Sequence, residues 1–133
     1  MSIKFAVVLV GVGLLLAARS VVAHHAFAAE FDADKPVNLT GAVTKIEWTN
    51  PHTWFYIDVA DQTGKVTNWG LEMGSPNGLM RAGWTRNSMK VGDVISVEGS
   101  RAKDGSNHAN ARVVILKSTG KRLFAASSQG QQP

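Results

Sequence analysis

The chain has 133 residues, no cysteine, four histidines and a formal charge of +4. That length is one domain, and the missing cysteine excludes a disulfide framework, a thiolate metal site, a cysteine nucleophile and a lipidated N-terminal cysteine. Once residues 1–23 are set apart as a leader peptide, 110 residues remain with 12 basic and 10 acidic side chains, a charge of +2 that is too weak to argue for nucleic acid or an anionic membrane.

Residues 1–23 read as a secretory signal peptide. Lys4 supplies the charged start, and Phe5 to Ala18 is an apolar run of signal-core length, short for a membrane span. Val21-Val22-Ala23 places small side chains where signal peptidase needs them, so cleavage is expected after Ala23 and the protein is expected in the periplasm. The mature chain then begins His24-His25. A terminal α-amine, with a pKa of about 8, can chelate a metal ion together with the imidazole of the same residue. A cut one residue earlier would make His25 the third residue, an arrangement that wraps Cu(II) or Ni(II) in a plane of nitrogens.

Residues 24–36 read as an N-terminal leader packing through Phe27 and Phe31. Residues 37–48 alternate as a strand, but the apolar parity changes from Val37, Leu39 and Val43 to Ile46 and Trp48. A change of face inside one strand predicts a bulge or bend, with Gly41 nearby to permit it. Residues 53–59 give the strongest strand pattern, with Phe55, Ile57 and Val59 on one face and Trp54, Tyr56 and Asp58 on the other. After a hairpin loop at Asp61 to Gly64, residues 66–73 return with Trp69, Leu71 and Met73 on the inner face. Ser75-Pro76 is a helix start, and a short helix is expected over Ser75–Ala82, stopped by Gly83. Further strands follow at 94–100 and 109–116, with a short extension at Arg122 to Ala125 and a polar, disordered tail at 126–133.

Five strands with one helix between the third and fourth is the order of an OB-fold, so the fold expected is all-β: a small Greek-key barrel over residues 37–125 with a long, bent first strand. Phe55, Ile57, Val59, Trp69, Leu71, Val97 and Val113 are the expected core.

Several short motifs carry a family resemblance. His24-His25-Ala26-Phe27, Trp48-Thr49-Asn50-Pro51-His52 and Glu72-Met73-Gly74-Ser75-Pro76-Asn77, with Ala82-Gly83-Trp84 and Lys90-Val91-Gly92-Asp93 further on, resemble a family of small exported bacterial proteins catalogued as a domain of unknown function. The resemblance covers nearly all of the mature chain. It implies a periplasmic protein of one compact β domain and brings no activity with it. By the order of its elements the chain also resembles bacterial periplasmic OB-fold proteins, which are ligand-binding or stress-related modules; that is an analogy of fold.

Two groups of residues are candidates for function. The outward face of the central hairpin carries Trp54, Tyr56, Asn68 and Glu72, a set in which aromatic rings stack and polar ends orient a ligand. His24, His25 and His52 are candidate ligands for copper, or zinc, because nitrogen donors without thiolate suit those ions. His108, in a polar loop, reads as surface. Glu47, Asp58 and Glu72 form no evident acid–base pair, and no nucleophile triad, phosphate-binding glycine loop or zinc-protease helix is present, so no enzyme is expected. Arg81, Arg86, Lys90 and Arg101 to Lys103 could line one end of the barrel near Trp54 and Trp84, and a plain solvated rim is the favoured reading of them. The expected function is therefore an exported binding or accessory module, with a small molecule or envelope component as partner, nucleic acid excluded by the location, and no membrane anchor after cleavage. The alternatives are a copper-type metal-binding protein and an interaction protein that docks through its aromatics.

Overall fold

The structure, a computed structural model, describes residues 27–125. The signal segment, His24, His25 and the tail from residue 126 lie outside the described residues. A helical turn at residues 27–30 leads into six strands: β1 (Phe31–Glu47), β2 (Trp54–Ala60), β3 (Val66–Glu72), β4 (Val94–Ala102), β5 (His108–Leu116) and β6 (Arg122–Phe124). The sheet order is β3-β2-β1-β4-β5-β6, and β3 also pairs with β5 in parallel. Strands β1, β2, β3, β5 and β4 therefore form a closed cycle, with β6 added at the edge, in keeping with the OB-like order expected.

Strand β1 serves two partners. Its first part, Phe31 to Ala42, pairs with β4, and its second, Ala42 to Glu47, pairs with β2. The predicted change of face occurs between Val43 and Lys45, where the β1–β2 register shifts. Gly41 sits just before the shift, and a Cβ there would lie 2.1 Å from the Asp58 carbonyl oxygen, so the two backbones can meet only with glycine at this point. β1 begins earlier than expected: Phe31 to Pro36, read from sequence as leader, already belong to the strand.

The β2–β3 hairpin has the expected register, with Phe55 opposite Leu71 and Ile57 opposite Trp69. Asp61 Oδ1 closes its loop by accepting from the backbone N–H groups of Thr63 and Lys65. The helix spans Pro76–Arg81, with the Ser75 hydroxyl accepting from the Gly78 N–H and Pro76 in the first turn. Leu79 on this helix, and Trp84 and Met89 after it, join Phe55, Ile57, Leu71, Met73, Ile95, Val97 and Val114 in one buried cluster. Val59 and Trp69 are half-buried against that cluster. In β5 the inward face changes from Ala109 and Ala111 to Val114 and Leu116, because the β4–β5 register shifts between Glu98 and Gly99. Val113, an expected core residue, is buried but stands outside the central cluster.

Candidate functional site

The site grows from the end of the hairpin where β2 begins and β3 stops. Trp54 lies opposite Glu72, and Glu72 lies beside Asn110 of β5, so three strands bring these residues into one row. Beyond the strands, Thr53 N–H donates to the Gly74 carbonyl at 3.0 Å and Met73 N–H to the Thr53 carbonyl at 2.8 Å. Those two bonds prolong the hairpin ladder and hold His52 on the same face as Trp54.

There His52 Nδ1 meets Glu72 Oε1 at 2.7 Å. Asn110 Nδ2 donates to the same carboxylate oxygen at 3.3 Å. Glu72 is only 8% exposed. Burial pushes its carboxyl above the ordinary range; His52 pulls it down, the Glu30 carboxylate pushes it further up, and the upward effect prevails. His52 Nε2 makes no hydrogen bond among the described residues, so it is the ring nitrogen left for an incoming ligand.

Two grooves open beside this pair. The larger, about 460 Å³, is lined by Phe27, Glu30, Phe31, His52, Trp54 and Glu72, among others. The second, about 360 Å³, shares Glu30, Phe31 and Trp54 with it and adds Lys103, Ser106 and His108. The helical turn at 27–30 walls both. It is held there by Lys103, whose N–H donates to the Glu30 carbonyl at 2.9 Å and whose ammonium bonds the Ala28 carbonyl. Phe27 and Phe31 pack against each other at 5.7 Å across the turn.

Of the four hairpin-face residues, Trp54 and Glu72 reach the grooves; Tyr56 and Asn68 line neither. The Tyr56 hydroxyl donates to Glu47 Oε2 at 3.3 Å, and the Lys45 ammonium lies 5.3 Å from its ring centroid. Asn68 Nδ2 donates to Asp58 Oδ1 at 2.8 Å. Both residues are on the expected face, but their polar ends already have partners within the protein. Glu72, expected on the outward face, is buried there and hydrogen-bonded to His52.

Of the expected metal ligands, His52 lines the larger groove, while His24 and His25 lie outside the described residues. Among the described residues no three His, Asp or Glu side chains gather at a metal-binding spacing. The basic rim is dispersed: Arg86 lies 6.0 Å from the Trp48 ring and Arg101 5.4 Å from the Trp69 ring, while Trp84 is buried. Sequence reasoning missed Glu30 and Asn110. The signal for Asn110 was a polar side chain between two alanines at the start of an apolar strand; Glu30, in a segment without period, gave none.

An OB-like β domain with a carboxylate-oriented histidine at one end of its hairpin is the class that fold and site define. The chain belongs to a family of unknown function, DUF6152, which it matches over residues 12–111. Comparison with curated proteins finds no match. Among solved structures, the fold is similar to a mitochondrial single-stranded DNA binding protein of S. cerevisiae, with a TM-score of 0.47 and 11% identity over 62% of this chain and 94% of that one. The expectation of a small-molecule or envelope partner with nucleic acid excluded is corrected here. The similar structure is itself that of a DNA-binding protein, so the exclusion does not stand, and at this identity the likeness names no partner for this chain.

Proposed function

We propose that this is an exported, non-catalytic protein of the periplasm that binds a copper-class divalent ion through His52 and the mature terminal residues His24 and His25. The observation that carries the reading is the 2.7 Å contact of His52 Nδ1 with the buried Glu72 carboxylate. A carboxylate on one ring nitrogen fixes the tautomer and orientation of the imidazole and makes the other nitrogen a better donor. Phe27 lines the same groove as His52. His25 is two residues before Phe27 in the sequence, and two residues of extended chain reach at most about 7 Å. Neutral nitrogens with a carboxylate at the rim and no thiolate suit Cu(II) first and Zn next. The described residues do not complete a coordination set by themselves, which is why the terminal amine and imidazoles belong to the proposal. A ligand spread over Trp54, Tyr56, Asn68 and Glu72 has less support, because Tyr56 and Asn68 are engaged elsewhere.

Copper titration of three forms tests this: the mature protein, the same protein with one added N-terminal residue, and His52→Ala. The mature form is expected to bind at least tenfold more tightly than either of the others. Equal binding by all three overturns the site.

A further inference from the structure

We infer that His108 forms a second site for a divalent transition-metal ion, on the other side of Trp54 from His52. The inference rests on the reading above for the class of ion, and on different residues for its ligands.

His108 is not a loose surface side chain. It opens β5 directly beside Gly70 of β3. A Cβ on Gly70 would lie 2.5 Å from His108 Cδ2, 3.0 Å from its Nε2 and 3.1 Å from Tyr56 Cε1. The imidazole therefore lies over a bare stretch of β3 backbone that any other residue would fill. Trp54 meets the ring edge-on, with centroids 5.9 Å apart at 89°. The ring is held on several sides yet remains exposed to the second groove.

As in His52, Nδ1 is the ring nitrogen with a partner inside the protein. Nδ1 lies 3.0 Å from Ser106 Oγ. The Ser106 hydroxyl and its backbone N–H hold the Asp104 carboxyl below the usual carboxylate range, and the Ser106 N–H donates to Asp104 Oδ1 at 2.9 Å. In the tautomer with hydrogen on Nδ1, the ring donates to the Ser106 hydroxyl oxygen. Nε2 then carries the lone pair, as a metal ligand requires. Ser106 thus stands at Nδ1 of His108 where Glu72 stands at Nδ1 of His52, a neutral hydroxyl in place of a carboxylate.

The groove supplies a second donor. Glu30 lines it, and its carboxylate makes no hydrogen bond or ion pair among the described residues. The cation of the groove, Lys103, is engaged by the Ala28 carbonyl. One imidazole and one carboxylate leave the ion's other positions to water, so this site is the weaker of the two. An imidazole–carboxylate pair suits Cu(II), Ni(II) or Zn.

The experiment is a Cu(II) titration of the mature protein and of His52→Ala, His108→Ala and Ser106→Ala, read by calorimetry for stoichiometry and by tryptophan fluorescence. Trp54→Phe assigns the share of quenching that belongs to Trp54. Two equivalents are expected in the wild type. His108→Ala is expected to lose the weaker one alone, and Ser106→Ala to weaken it by about tenfold, the lower end for an orienting partner. A single equivalent that His108→Ala leaves unchanged overturns this inference, and loss of it in His52→Ala keeps the earlier reading. If His52→Ala changes nothing while His108→Ala removes binding, the earlier reading fails and this one stands. Imidazole nitrogen NMR of the metal-free protein gives a second test, independent of the variants: hydrogen on Nε2 of His108 instead of Nδ1 overturns the inference.

Discussion

The His52–Glu72 pair is the contact on which the site depends, and a double-mutant cycle of His52→Ala with Glu72→Gln measures it. The carboxylate has two donors, His52 Nδ1 at 2.7 Å and Asn110 Nδ2 at 3.3 Å. Removing the imidazole leaves a side chain that is 10% exposed with the longer bond and the like charge of Glu30. A hydrogen bond to a charged group contributes about 1.5–3 kcal/mol. The His52 side chain is 30% exposed and water reaches its edge, which points to the lower end. The expected coupling is about 1.5 kcal/mol, read from urea unfolding at neutral pH. The pH dependence adds a sign. Burial raises the Glu72 pKa above its ordinary 4.5, so the folded protein holds this proton more tightly than the unfolded chain. Its contribution to stability is full below that ordinary value and is lost as pH rises through the raised one. Glu72→Gln should therefore gain on the wild type as pH rises from about 4 and lose that gain on acidification. A coupling below about 0.5 kcal/mol, the ordinary error of additivity, would refute the pairing. A gain that grows toward acid pH would refute the burial argument.

Phe55→Ala removes a fully buried ring from the central cluster and should destabilise by about 3–5 kcal/mol in the same unfolding assay. Gly99→Ala places a Cβ 2.0 Å from the Asn110 carbonyl oxygen, so β4 and β5 must part there; a loss of about 1–3 kcal/mol is expected, and unchanged stability would contradict the close approach. Intact-mass measurement of the exported protein should give a chain beginning at His24, and any other start removes the terminal chelate in its simple form.

Much of the fold was legible because local pattern and tertiary demand agree. The alternation of Trp54–Ala60 survives because Phe55 and Ile57 meet the core while Trp54, Tyr56 and Asp58 turn away from it, and the return strand keeps the expected register. Ser75-Pro76 marked a helix start because the cap is chemistry between neighbours. Legibility ended where a distant strand decides the outcome. Phe31 to Pro36 shows no period because the β1–β4 register slips between Asp32 and Pro36, and most of that stretch faces solvent. The adjacent valines 113 and 114 gave no indication of which one points inward. The register shift at Glu98 and Gly99, on the neighbouring strand, selects Val114.

The candidate site was half legible for the same reason. Parity placed Trp54, Tyr56, Asn68 and Glu72 on one face, and that placement holds. Parity says nothing about which outward residue another part of the chain will cover. Glu72 is covered because β3 pairs in parallel with β5, which brings Asn110 beside it, and because the turn at 27–30 walls the groove in front of it. Asn68 is nearer the hairpin loop, beyond the reach of that pairing, and stays exposed. His108 was hidden by its own neighbourhood: Asp104 to Asn107 is turn chemistry, and a histidine after it reads as loop. The clue lay elsewhere, in Gly70, a glycine set in the middle of a strand whose neighbours Trp69 and Leu71 both pack. Such a glycine marks a place where something approaches the backbone closely, and here that something is the His108 imidazole.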